Sequence, residues 1–219
     1  PPPIYTLFPS TTLFRSGTVE ADGGQVIMTA DIAQKVFAAA VNNSGVVEAE
    51  GIEQHQGGVF LTGHGLSNAE PIERAPLERT GGIILSGVGG DVVNSGKLDV
   101  HNAYSDAGSV LMKSTATTLI QGNGSIDASS ASGNGGDVQI LGYHVGLLDD
   151  ASVDASGTSG GGTVLVGGDY HGLNPSVQDA SRTYLSPDAT IDADALISGD
   201  GGKVILWSND GTQYYGTIT

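Results

Sequence analysis

The chain of 219 residues has no cysteine, only eight lysine and arginine residues, and only 5% aromatic residues. The lack of cysteine suits a cytosolic chain, and equally one that crosses an outer membrane unfolded, because early disulfides would block threading. With 24 acidic residues the net charge is −16. Nucleic acid and anionic lipid both attract basic surfaces, so this charge argues against either partner. No apolar run reaches the length of about 18 residues that a transmembrane helix needs, so we predict no membrane span.

What the sequence does have is glycine and a moderate apolar content. Glycine contributes 35 residues and proline only eight, while 38% of the residues are hydrophobic, with valine and isoleucine well represented. This composition argues against collagen, a proline-rich linker and a disordered chain.

A triplet of one apolar, one acidic and one small residue recurs along the chain, mostly 25 to 28 residues apart. Clear copies are Val19-Glu20-Ala21, Val47-Glu48-Ala49, Leu98-Asp99-Val100, Ile126-Asp127-Ala128, Val153-Asp154-Ala155 and Ile191-Asp192-Ala193, with a weaker copy at Ile72-Glu73-Arg74. A second segment of alternating apolar residues follows each triplet, in most cases after a glycine pair such as Gly135-Gly136. A third short segment leads into each triplet. Alternation with period two is typical of strands buried on one face.

Three short strands per repeat predict an all-β fold, a parallel β-helix (a solenoid) of about seven coils of roughly 27 residues. A single coil cannot bury its apolar face, but stacked coils close a continuous core. A β-sandwich of short strands is the alternative, although it would not keep one motif in register over so many copies. We expect the glycine pairs to allow the positive φ of a tight corner.

Two segments depart from the repeat. Residues 1–16 contain four of the eight prolines and no acid, and residues 4–16 resemble a translated sequencing adapter, so we expect a non-native or disordered leader. Residues 17–219 are predicted to form one β-helix domain, a fragment of a longer rod. Residues 167–188 form its single large insertion, because two successive triplets there are 38 residues apart.

The C-terminal part resembles a known family. Within residues 152–218 the matching pieces are residues 162–172 (GTVLVGGDYHG), Asn174-Pro175, residues 191–195 (IDADA), residues 199–204 (GDGGKV), Trp207-Ser208, Thr212 and residues 216–218 (GTI). Their order resembles filamentous haemagglutinin-type exoproteins, the large adhesins of bacterial two-partner secretion. The resemblance implies a right-handed parallel β-helix secreted through an outer-membrane transporter to the surface of a Gram-negative cell. Its partner would then be a host receptor or glycan.

The insertion is the best candidate for recognition, because loops that interrupt a regular scaffold often carry binding. Aromatic and arginine side chains are also favoured at interfaces. The candidate binding residues are Asp169, Tyr170, His171, Asn174 and Arg182. The alternative is a structural flap that covers one side of the rod.

The acidic residues of the triplets are expected to stack as an outward ladder of Glu20, Glu48, Glu73, Asp99, Asp127, Asp154 and Asp192. In solvent this ladder would serve as a soluble, anti-aggregation face. The sharper hypothesis is weak Ca²⁺ binding between adjacent carboxylates, since Ca²⁺ prefers several hard oxygen ligands. The histidines show no metal-ligand spacing, so we predict no metal site and no cofactor.

Polygalacturonase-like glycosidases are also β-helices, and they supply the enzymatic alternative. Gly63-His64-Gly65 and Asp149-Asp150 match two of their motifs, but in reversed order, and the Asn-Thr-Asp and Arg-Ile-Lys motifs are missing. We therefore predict a non-enzymatic adhesin shaft. A polysaccharide-active enzyme of the polygalacturonase or pectate-lyase kind is the alternative.

Overall fold

A computed structural model of the chain describes residues 82–219 in full and, before them, the backbone of the strands that lie between Ile4 and Glu73. Over these residues the fold is all-β, with three parallel sheets of eight strands each. Successive strands of the chain enter the three sheets in rotation, so each turn adds one strand to every sheet. The predicted parallel β-helix is thus confirmed.

In chain order, the described strands are β1 (Ile4–Leu7), β2 (Leu13–Arg15), β3 (Val19–Glu20), β4 (Gln25–Ala30), β5 (Val41–Asn43), β6 (Val47–Glu48), β7 (Gly58–Gly63), β8 (Leu66–Asn68), β9 (Ile72–Glu73), β10 (Gly82–Gly87), β11 (Val92–Asn94), β12 (Lys97–Asp99), β13 (Ser109–Ser114), β14 (Thr117–Ile120), β15 (Ser125–Asp127), β16 (Asp137–Leu141), β17 (His144–Leu147), β18 (Ser152–Asp154), β19 (Thr163–Val166), β20 (Arg182–Leu185), β21 (Thr190–Asp192), β22 (Lys203–Leu206), β23 (Gly211–Tyr214) and β24 (Thr217–Ile218). The first sheet contains β1, β4, β7, β10, β13, β16, β19 and β22. The second contains β2, β5, β8, β11, β14, β17, β20 and β23, and the third contains the remaining eight.

The period agrees closely with the prediction, and the number of turns differs slightly. The fully described residues form about five turns of about 28 residues. Upstream strands extend each sheet to eight, one more than the seven coils expected. The additional strands of the first and second sheets are β1 and β2, which lie within residues 1–16 and pair with β4 and β5. The origin of that segment stays a prediction.

Apolar side chains stack from turn to turn inside the rod. In the first sheet the pairing aligns one inward column of Ile83, Val110, Val138, Val164 and Val204, and a second of Leu85, Met112, Ile140, Val166 and Leu206. The first four members of each column are buried, and the last is partly buried. Full burial of one such side chain contributes about 1.5–3 kcal/mol, so the stacked columns stabilise the fold.

The second sheet also turns threonine inward, and each of these hydroxyl groups has a partner. Thr118 Oγ1 donates a hydrogen bond to the Leu141 carbonyl oxygen at 2.6 Å. Thr183 Oγ1 donates to the Trp207 carbonyl oxygen at 2.8 Å. Each bond links one turn to the next, so these buried polar atoms avoid the cost of lost hydration.

The glycine pairs are needed for close packing rather than for positive φ. Gly135, Gly136, Gly161 and Gly162 are absent from the positive-φ glycines of the described residues, so the sequence-based expectation was wrong. A Cβ atom at Gly162 would overlap the carbonyl oxygen of Gly136 one turn earlier, and a Cβ at Gly136 would overlap that of Gly108. The corners of successive turns therefore pack backbone against backbone.

The loop between β19 and β20 covers residues 167–181, so it is shorter than the predicted insertion of residues 167–188, because residues 182–185 form β20 of the regular second sheet. It contains a short 3₁₀ helix, Tyr170–Gly172, whose first backbone N–H group is capped by the Asp169 side chain. His171 has φ 57°, a left-handed conformation that non-glycine residues seldom adopt. Among the described residues, no helix is long and apolar enough to cross a membrane.

Candidate binding face

The outward side of the second sheet holds a groove of about 650 Å³, which we call the second-sheet groove. It runs across four successive turns, because β14, β17, β20 and β23 all contribute to it. Its described lining residues are Thr117, Leu119, His144, Val145, Gly146, Leu148, Arg182, Thr183, Tyr184, Asp210, Gly211, Thr212 and Gln213. Seven of these thirteen residues are polar or charged, three are aliphatic, and Tyr184 is the one aromatic residue among them.

The alternation of the strands explains why these side chains face out. In β14, Thr118 and Ile120 are buried inside the rod, so Thr117 and Leu119 point to the other face. The pairing then aligns Leu119 with Gly146. Gly146 deepens the groove at this point, because a Cβ there would lie 2.9 Å from Leu119 Cδ2.

Two basic side chains lie side by side in the groove. His144 and Arg182 are direct partners in the pairing of β17 with β20, and both are exposed. Within the described part of the chain, Arg182 makes no ion pair, in contrast to Lys97, which pairs with two carboxylates. Arg182 is therefore an available cation on a strongly acidic protein.

Aromatic rings line the same face. Tyr184, two residues after Arg182, lies next to Tyr215, with ring centroids 5.9 Å apart. One turn earlier, Tyr143 packs against His144 with ring centroids 4.7 Å apart, and Tyr143 is 55% exposed. The groove itself thus combines the Tyr184 ring with a guanidinium group that makes no ion pair to a described residue, while Tyr143 and Tyr215 lie beside it.

A single carboxylate, that of Asp210, occurs among the described lining residues. Ser181 Oγ donates a hydrogen bond to Asp210 Oδ2 at 2.6 Å, so one oxygen of that carboxylate is engaged.

The structure separates the five candidate residues predicted from sequence. Asp169, Tyr170, His171 and Asn174 lie together in the insertion, whereas Arg182 is the first residue of β20 and lies in the second-sheet groove. Asn174 Nδ2 donates a hydrogen bond to Asp169 Oδ2 at 3.0 Å and closes the turn. This bond, with the one from the Tyr170 backbone, holds the pKa of Asp169 below its usual value.

The tip of the insertion folds over Trp207. The His171 ring lies 5.5 Å from the Trp207 ring, and the Tyr170 ring contacts His171 edge-on at 4.2 Å. Tyr170 remains 65% exposed. Beneath the loop, Asp179 Oδ1 and Trp207 Nε1 are buried and make no hydrogen bond to any described residue. These contacts support the flap alternative for part of the loop and leave Tyr170 free for binding.

The acidic ladder has the predicted register, but Asp99 is not on the surface. Pairing aligns Asp99 with Asp127, Asp127 with Asp154, and Asp154 with Asp192. The upstream glutamates continue the same column at Glu73, Glu48 and Glu20. Asp99 is only 5% exposed, because Lys97 and His101 cover it. This burial corrects the expected fully outward ladder.

Each described aspartate of the ladder closes the turn that follows it. Asp154 Oδ1 accepts hydrogen bonds from the backbone and hydroxyl groups of Ser156 at 2.8 and 2.6 Å, and Asp127 holds Ser129 in the same way. An aspartate that bonds the backbone two residues on is typical of a turn. Asp99 and Asp192 accept a backbone hydrogen bond from the second residue after them as well, so all four described aspartates of the ladder have a structural role.

Asp99, His101 and Asp127 bring potential metal-ligand atoms within 4.8 Å of one another. Lys97 Nζ lies at the same place, 2.6 Å from Asp99 Oδ2 and 3.0 Å from Asp127 Oδ2. Burial by itself raises the pKa of Asp127, but hydrogen bonds from Ser129 and Lys97 outweigh it and lower that pKa. Lys97 thus supplies the positive charge that a cation would otherwise bring.

The residues shared with glycosidase motifs do not form a described site. Asp149 lies in an exposed turn after β17, where its Oδ2 accepts a hydrogen bond from the Gly122 backbone at 2.9 Å. Gly63 ends β7, and His64 and Gly65 lie outside the described residues.

No family model matches the chain, and no curated protein or solved structure is significantly similar to it. The resemblance to filamentous haemagglutinin-type exoproteins therefore stays a prediction. The groove residues other than Arg182 were missed from sequence. The alternation of Thr183 and Leu185 in β20 was the signal that could have placed Arg182 and Tyr184 on an outward face.

Proposed function

We propose that this chain is a segment of an adhesin shaft that binds host cells or surfaces and does not catalyse a reaction. The observation that carries the proposal is the second-sheet groove, a recess on the outside of a regular rod that Tyr184, His144 and Arg182 help to line. A solenoid grows by adding turns and so holds such a recess at a distance from its point of attachment.

Secretion to a Gram-negative cell surface through an outer-membrane transporter is part of the same proposal. It rests on the family resemblance of residues 152–218 and on the absence of cysteine, which suits threading of an unfolded chain.

The composition of the groove favours binding over hydrolysis. Glycoside hydrolysis usually needs two carboxyl groups flanking the scissile bond. Asp210 is the single carboxylate among the described lining residues, so the second partner for that chemistry is missing there. The net charge of −16 also disfavours nucleic acid as the partner.

The test uses the purified chain in two assays. We expect saturable binding of the fluorescently labelled chain to epithelial cells, measured by flow cytometry. We expect no release of reducing ends when the same preparation is incubated with polygalacturonate. Release of reducing ends would favour the enzyme, and a folded chain that binds no cells would contradict the adhesin.

A further inference from the structure

We infer that the second-sheet groove binds an oligosaccharide that carries carboxylate groups, with Arg182 as the residue that recognises the carboxylate. This inference deepens the proposed function and rests on it in treating the chain as a protein that binds.

Within the groove, the Arg182 guanidinium group favours an anionic group. Arg182 is exposed and makes no ion pair with a described residue, although acidic residues outnumber basic ones by 24 to 8 in the chain. The one carboxylate among the described groove-lining residues, Asp210, has one of its two oxygens engaged by Ser181. A planar guanidinium group binds a carboxylate through two parallel hydrogen bonds, which gives both geometry and strength. His144, its partner on the neighbouring strand, adds a second polar contact.

The aromatic residues favour a ring with apolar faces. The face of an aromatic ring is electron-rich and attracts polarised C–H groups. Tyr184 lies two residues from Arg182 on the same outward side of β20, next to Tyr215. A sugar ring can therefore stack at Tyr184 while its carboxylate reaches Arg182. Thr117 and Gln213 supply hydroxyl and amide groups for the sugar hydroxyls.

The backbone argues against a peptide in the groove. A bound peptide strand is usually held by the unpaired backbone groups of a sheet edge. The central strands of the groove offer no edge, since β17 pairs with β14 and β20, and β20 pairs with β17 and β23. Over β17 and β20 the groove floor thus presents side chains, which suit a polyhydroxylated ring better than an extended peptide, whereas β23 is the last strand in the order of this sheet.

The experiment measures binding of the whole chain to an oligogalacturonate hexamer by titration calorimetry. The probes for comparison are the carboxyl-reduced hexamer, which is neutral, and a hexaglutamate peptide. We expect the oligogalacturonate to bind, the neutral hexamer to bind at least tenfold more weakly, and the affinity for the acidic hexamer to fall as salt is added.

Two variants locate the binding. Arg182→Gln should weaken the affinity for oligogalacturonate at least tenfold and leave that for the neutral hexamer unchanged. Lys113→Gln removes the same charge on the first sheet and should leave both affinities unchanged. Circular dichroism and thermal melting should find both variants folded, because Arg182 and Lys113 are outward side chains.

If the oligosaccharide binds, any of three results would still overturn the inference: equal affinity for the neutral hexamer, tighter binding of hexaglutamate, or no effect of Arg182→Gln. Absence of oligosaccharide binding would also overturn it, and the cell-binding assay then separates the two proposals. A chain that still binds cells would remain an adhesin with a different ligand, whereas a chain that binds neither would refute both.

Discussion

Replacing Gly162 by alanine should destabilise the solenoid, because the added methyl group has no space. Its Cβ would overlap the carbonyl oxygen of Gly136 and would lie 2.7 and 2.9 Å from two further backbone atoms of the preceding turn. All of these atoms are backbone, so they cannot move aside as a flexible side chain would. The Gly162 N–H group also donates to the Ala155 carbonyl oxygen at 2.8 Å, so a shift of the corner strains that bond.

The expected loss follows from two opposing effects. Forcing an extra carbon into a packed region costs about 1–3 kcal/mol. Alanine also restricts the unfolded chain, which returns about 0.4–1 kcal/mol. The free energy of unfolding should therefore fall by about 1–2 kcal/mol, and at about 2–4 °C per kcal/mol for this size the melting temperature should fall by about 2–8 °C.

The matched control is Gly201→Ala, at the corner one turn further along. A Cβ at Gly201 has no atom within 4 Å, and Gly201 does not have a positive φ. This variant should be neutral or slightly more stable than wild type. Urea unfolding followed by circular dichroism, with thermal melts beside it, measures both changes. Equal stability of Gly162→Ala and wild type, or an equal loss in the two variants, would refute the close-packed corner.

Three further predictions concern the core and the acidic ladder. Ile126→Ala should lower the free energy of unfolding, measured by urea denaturation, by about 2–5 kcal/mol, because the Ile126 side chain is only 1% exposed. The control variant Ile197→Ala should change it by less than about 0.5 kcal/mol, because Ile197 is 81% exposed. Lys97→Met should raise the pKa of Asp127, measured by carboxyl NMR titration. Because the lowered folded-state pKa contributes stability above the unfolded value of about 3.9, the loss that comes from Asp127 should be about 0.5–1 kcal/mol at neutral pH, and this part of the difference should vanish as the pH falls through the Asp127 pKa. The buried Asp99 carboxylate also loses its Lys97 partner, so the total loss at neutral pH should be larger. Millimolar Ca²⁺ or a chelator should leave the melting temperature unchanged, because the Lys97 ammonium group already contacts both the Asp99 and the Asp127 carboxylates. A clear rise with Ca²⁺ would show that a cation site exists.

The repeat made the architecture accessible from the sequence. The triplets predicted the third sheet, and the pairing of Asp127 with Asp154 places them in the expected register. This succeeds because period-two alternation and a fixed coil length leave few ways to bury the apolar residues. The prediction of positive φ at the glycine pairs was wrong. The spacing of the pairs shows that small residues are needed at the corners, but it does not show whether the reason is the backbone angle φ or close contact with another turn.

The site was harder to predict because it depends on contacts between turns. Arg182 appears in the sequence as the end of an insertion, yet it begins a strand and aligns with His144, far back in the chain. The burial of Asp99 depends likewise on how Lys97 and His101 fold over it, which no linear pattern encodes. Outward side chains follow no hydrophobic period, so a groove among them leaves little trace in the sequence.

One measurement tests most directly whether the rod adheres through the second-sheet groove. It compares the equilibrium binding of purified wild type and of Gly146→Leu to epithelial cells. Leucine at this position would fill the groove where Leu119 Cδ2 borders Gly146. We predict saturable binding by wild type and at least tenfold weaker binding by the variant, with a similar melting temperature. Equal binding by the two proteins, or binding by neither, would contradict adhesion through this groove.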